Sequence, residues 1–178
     1  MFDSSALLRQ RFAALRSTAE LFSLRHVKQS HQSLSVRRNV AEPPFFSQDE
    51  GAMLTVRLNG VEAYAATADL SQSGLQRALE HAEALARQIT GHHLLDLRDQ
   101  PVPSTRHDHI SPNFDQSLPN LADCLELLAT ESASVPKDER LVDWQASLGI
   151  TLVEQTYLNT AGAELRNAQR FIFPGLGV

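Results

Sequence analysis

The chain has one cysteine, Cys124, in 178 residues. A lone thiol excludes an internal disulfide and any zinc site built from several cysteines. It sits in LADCLELL, an apolar pattern at helical spacing, where a buried and inert side chain is expected. No apolar run approaches the ~20 residues of a membrane-spanning helix. The N-terminal segment has no apolar stretch of the secretory-signal kind, because Arg9, Arg11 and Arg16 interrupt it. The expected setting is therefore cytoplasmic, with no membrane partner. Positive charge is in deficit: 16 Lys and Arg stand against 21 Asp and Glu, a net charge of −5. A nucleic-acid partner held through phosphate contacts needs a basic face, and the short Arg37-Arg38 cluster does not supply one. There is no glycine-rich phosphate loop, since the closing GLGV precedes no helix, and no Gly-x-Ser-x-Gly nucleophile elbow. Repeats and low-complexity tracts are absent as well.

What is present reads as folded protein. Hydrophobic residues make up 42% and charged residues 21% of the chain, and a domain of this size buries roughly 70% of its unfolded surface. Leu7, Leu8, Phe12, Leu15 and Ala19 recur at helical spacing, which predicts a helix over residues 4–21 capped by Ser4 or Ser5 and docked on its own sheet rather than on a membrane. Residues 22–40 alternate, with a polar break at 29–33, so they form two strands in a hairpin or one bent strand. The Pro43-Pro44 segment that follows reads as a loop or sheet edge, packed down by Phe45 and Phe46; an exposed aromatic pair there would instead mark a contact site. Leu54, Val56 and Leu58, then Asn59-Gly60, then Val61, Ala63 and Ala65 spell a hairpin with a type I′ turn. Gly60→Asn should be tolerated there and Gly60→Val should not. Asp69 or Ser71 caps a long helix whose apolar stripe is Leu75, Ala78, Leu79, Ala82, Leu85 and Ile89, with Gly91 ending it. Residues 94–119 hold four prolines and no period, an irregular connection. Asn120 caps a short helix over 121–129, residues 141–157 are extended, 160–162 turn, and 163–173 form a last strand. The fold class is α+β: a mostly antiparallel sheet with helices packed on one face.

Residues able to do chemistry are few. His92 and His93 are neighbours and point apart. His107 and His109 would share one side of an extended segment, but they lie in the proline-rich connection with no third ligand apparent, so a solvated polar loop is expected. His81 and Glu83 lack the second histidine one turn on that a helical zinc motif needs, since Leu85 stands there. Cys124 has no evident histidine partner, and Asp49-Glu50 and Asp138-Glu139 read as solvated pairs. No catalytic, cofactor-binding or metal-binding residue is assigned.

The stretch SLSVRRNVAEPPFFSQDEGAMLTVRLNGVEAYAATADLSQSGLQRALEHAEALAR resembles the N-terminal part of the TldD/PmbA family, the modulators of DNA gyrase. Leu34-Ser35-Val36-Arg37, Glu50-Gly51, Val56-Arg57, Ala65-Ala66-Thr67 and Asp69-Leu70 carry it, and Asn159, Gly162 and Glu164 are similar to a later turn of the family. Ala52 and Met53 depart from it, where a second glycine is usual. The resemblance implies cytoplasmic metallopeptidases that act as homo- or heterodimers on extended peptides. Their zinc is held by a His-Glu-x-x-x-His helix and a later cysteine, none of which maps onto this chain; Cys124 does not match that cysteine. The implied arrangement is one N-terminal domain over residues 1–178, with sub-blocks 1–93 and 120–178 joined by the loop 94–119 and a catalytic C-terminal domain absent. Its implied role is a non-catalytic scaffold and substrate-chamber domain, inactive alone. The alternative is a free-standing interaction or regulatory module with the same fold and no peptidase activity. An independent metal-dependent hydrolase centred on His107 and His109 is a third reading.

Overall fold

The structure, a computed structural model, describes residues 4–92, 94–136 and 138–178. The elements run α1 (Ser4–Ala14), β1 (Leu21–Arg37), β2 (Val40–Ala41), β3 (Phe45–Leu58), β4 (Val61–Thr67), α2 (Gln72–Ile89), β5 (Arg106–Ile110), α3 (Leu121–Ser134), β6 (Gln145–Asn159) and β7 (Glu164–Gly177). The strands pair in the order β4-β3-β1-β6-β7-β5, and β2 pairs with β1. The class is α+β, but the sheet is mixed rather than purely antiparallel. The exception is β5. Glu164 N–H donates to Thr105 O and Ser111 N–H donates to Ala168 O, so numbers rise together along β5 and β7 and the pair is parallel. The open edge of β7 captures a segment that has no strand periodicity of its own, which is why residues 94–119 are not wholly irregular. Asn159 Nδ2 helps by donating to Pro103 O at 2.8 Å.

The chain packs as two compact units, Met1–Lys28 with Glu50–His109 and Glu154–Asn167, and Gln29–Asp49 with Ile110–Val153 and Ala168–Val178. In the first, Leu54, Val56, Val61, Ala63 and Ala65 present one face to Leu75, Ala78, Leu79, Ala82 and Ala86 of α2, joined by Leu8 and Leu15. The register Leu58↔Val61 through Ala52↔Thr67 is continuous, so the backbone runs as a regular ladder through Ala52 and Met53. Asn59 and Gly60 take φ of 54° and 78°, as a type I′ turn demands. Ser71 caps α2 by accepting from Gly74 N–H, and Gly91 has φ 84° just beyond the Thr90 cap. Ile89 of the expected stripe is exposed.

The helix α1 ends at Ala14, seven residues short of the expected 21. Side chains of α2 take the backbone that would have continued it. Gln76 bonds both the N–H and the C=O of Arg16, and Glu83 accepts from Thr18 N–H. The expected Ser4 or Ser5 cap lies outside the described side chains.

In the second unit, Leu34 and Val36 of β1, Ala146 of β6, and Cys124 and Leu128 of α3 form a small core. Asn120 caps α3 as expected, but the helix runs on to Ser134. Ser132 explains the extension. Its buried hydroxyl donates to Asn39 Oδ1 at 2.9 Å and accepts from Asn39 N–H and Trp144 Nε1, each at 3.1 Å. Residues 29–33 do not interrupt β1, which is one strand. β3 begins at Phe45, directly after Pro44, where a missing N–H costs a ladder nothing.

Candidate functional site

Alternation along β1 puts His31 on the face opposite Leu34 and Val36, which α3 covers. Around His31 the second unit gathers its exposed rings. Phe45 of β3 has its ring 6.3 Å from that of His31. Phe173 and Phe171 of β7 stack at 6.1 Å and 14°. Between them β6 contributes Gly149, where a Cβ would lie 3.6 Å from Phe173 and 3.7 Å from His31. The glycine lets the two rings approach a bare backbone floor. His31 is fixed by Nδ1 to Thr151 Oγ1 at 2.9 Å. A groove of about 360 Å³ lies on the other face of the same strands, where Ser30, Gln32, Phe46, Gln48, Leu118, Ile150 and Leu152 line it.

Phe45 and Phe46 are 58% and 59% exposed. The expectation that they pack the Pro43-Pro44 segment down is overturned: the pair is exposed. A strand beginning at Phe45 holds the rings out, so the segment has no loop to fold under them. The sequence signal was there in the adjacent phenylalanines. The part of His31 and Gly149 was not, because they meet only across strands.

The structure scatters the other residues considered. Cys124 is buried in the small core. His81 and His92 are exposed, and His93 lies outside the described residues. His26 is buried and its Nε2 lies 2.9 Å from Glu50 Oε1, so Glu50 is not merely solvated. Asp138 is exposed and bonded to Arg140, which holds its carboxyl below the usual range. Glu83, which completes no zinc motif with His81, is buried among Ser17, Thr18 and Arg87. Nothing in its local spacing announced that. Among the described residues, no three His, Cys, Asp or Glu side chains come together as a metal site.

An α+β domain with this sheet order and these helices has counterparts among solved structures. A candidate modulator of DNA gyrase from Bacteroides thetaiotaomicron superposes with TM-score 0.68 at 16% identity, over 97% of this chain and 40% of that one. A second, from Thermotoga maritima, gives 0.62 at 13% identity, over 88% and 35%. TldE from Thermococcus kodakarensis gives 0.62 at 10% identity, over 97% and 38%. At these identities the likeness is one of fold. The chain spans about two fifths of the length of these proteins. No curated protein sequence matches the chain.

Residues 22–86 match the family model described as PmbA/TldA metallopeptidase domain 1. Over that segment the chain is similar to the first domain of the TldD/PmbA metallopeptidases. That segment contains Ala52 and Met53, so the departure there is a local one. The zinc that such a family implies needs three protein ligands and an open position. The described residues bring together no three His, Cys, Asp or Glu side chains that could hold it.

Proposed function

We propose that the chain is a non-catalytic scaffold domain of a TldD/PmbA-type zinc metallopeptidase assembly, a homo- or heterodimer of family members, and forms part of the wall of a chamber that holds an extended peptide. The aromatic surface around His31 carries this reading. Half-exposed rings on a bare strand floor suit a flat, extended chain, whose side chains enter between Phe45 and Phe173 while its backbone needs no particular sequence. The hydrolytic chemistry belongs, on this reading, to another domain of the assembly.

The test is fluorescence anisotropy of the purified chain with a labelled unstructured peptide, alongside a peptidase assay with and without added zinc. Saturable binding without hydrolysis is expected. Covering a half-exposed phenylalanine is worth about 1 kcal/mol, half of a full burial, so Phe45→Ser or Phe173→Ser should weaken binding several-fold. Binding that neither substitution changes, or no binding at all, would overturn the chamber-wall reading. Hydrolysis that copurifies with the chain through a second column and survives His107→Ala and His109→Ala would overturn the non-catalytic one.

A further inference from the structure

In sequence, His107 and His109 fall in a proline-rich stretch that reads as a solvated loop. The structure places both in β5, with both side chains exposed. In a strand, residues two apart share a face with Cα atoms about 6.5–7 Å apart, a spacing from which two imidazoles can reach one ion at bonds of about 2.0–2.1 Å. No hydrogen bond or ion pair engages either ring among the described residues.

The neighbouring strand adds a third group. The bonds from Glu164 N–H to Thr105 O and from Ser111 N–H to Ala168 O set one parallel register, and it puts Asn167 of β7 opposite His109. Paired residues project on the same side of a sheet. Asn167 Oδ1 is buried and has no hydrogen-bond partner, a state that costs about 1–3 kcal/mol unless something satisfies it.

We propose that His107 and His109 form a chelating site for a divalent transition-metal ion on the outer strand β5, with Asn167 Oδ1 as a third donor. Imidazole nitrogens favour copper, nickel and zinc over calcium and magnesium, which take oxygen ligands. Two imidazoles and one amide leave the remaining positions to water, so the site binds and does not enclose its ion. It is separate from the aromatic surface around His31 and does not depend on that assignment.

Isothermal titration of the tag-free chain with copper, zinc and calcium salts tests this. One-to-one binding is expected for copper and more weakly for zinc, in the order of intrinsic affinity, with none for calcium. His107→Ala and His109→Ala should each weaken copper binding about tenfold or more, and Asn167→Ala by less. His92→Ala should leave it unchanged. Copper should also broaden the amide resonances of residues 105–110 ahead of all others. Copper affinity equal in wild type and the His107→Ala/His109→Ala double variant would overturn the proposal. So would broadening centred on His92.

Discussion

Glu83→Ala is the sharpest perturbation the structure offers. The Glu83 side chain is only 8% exposed. It accepts from Ser17 Oγ at 2.5 Å, Thr18 N–H at 3.0 Å, Thr18 Oγ1 at 3.1 Å and Arg87 Nη2 at 2.8 Å. Alanine leaves the Thr18 N–H without a partner and opens the junction between α1 and β1. Hydrogen bonds to a charged group contribute about 1.5–3 kcal/mol each and do not add fully. Breaking a buried pair costs about 3–5 kcal/mol. Arg87 is half exposed and regains water, so the lower end applies, about 3 kcal/mol. For a domain of this size that lowers the thermal midpoint by about 6–12 °C. Glu83→Gln keeps the volume and one acceptor and should fall between. The pH dependence follows from the same contacts. Burial pushes the carboxyl up, but the bonds from Ser17, Thr18 and Arg87 outweigh it and hold the group below its ordinary value of 4.5. A lowered folded pKa means the unfolded chain takes up protons first. The contribution is therefore complete above the ordinary value and is lost as pH falls through the folded one. Scanning calorimetry of wild type and Glu83→Gln should show a gap that is constant near neutrality and closes in acid. A Glu83→Ala midpoint within about 2 °C of wild type, under 1 kcal/mol, would refute the reasoning.

Three further outcomes are expected. Gly60→Val should destabilise by about 1–2 kcal/mol or more for its positive φ alone; because a Cβ there also meets the Asp96 carboxylate, Gly60→Asn should cost stability too, and adding Asp96→Ala should recover the Asn variant but not the Val one in urea melts. Ser132→Ala removes the hydroxyl shared by Asn39 and Trp144 and should cost about 1–3 kcal/mol; the single tryptophan reports it, and unchanged emission with an unchanged urea midpoint would contradict the clasp. Phe171, Ile172, Phe173 and Leu176 are 41%, 53%, 57% and 60% exposed, so the chain should self-associate with concentration and a Phe171→Thr/Phe173→Thr variant should not, by light scattering over a roughly hundred-fold dilution; a strictly monomeric wild type would count against it.

The features legible in the sequence are those that one segment dictates. The type I′ turn at Asn59-Gly60, the α2 stripe with its Ser71 cap and the Asn120 cap of α3 need no distant partner. The misjudged boundaries all depend on a partner far along the chain. α1 stops where Gln76 and Glu83 capture residues 16–18, α3 continues because Ser132 finds Asn39, and β5 exists because β7 has an open edge.

The same division governs the candidate sites. A strand's alternation states which residues share a face, but not whether a polar run is a loop or a strand whose neighbours satisfy its backbone. Residues 29–33 read as a break because Gln29, Ser30, Gln32 and Ser33 are polar. They stay extended because β1 has β3 on one side and β6 on the other, which give its backbone ladder partners whatever the side chains are. That freedom lets the strand use both faces, with His31 against Thr151 on one and Ser30 and Gln32 lining the groove on the other. Residues 106–110 repeat the case at an outer strand, where Arg106, His107, Asp108 and His109 are too polar to be read as a strand. Charge there discourages a further strand from adding, and the alternation then brings the two histidines to one face. In both places the polarity that hid the strand is what gives its exposed face something to bind with.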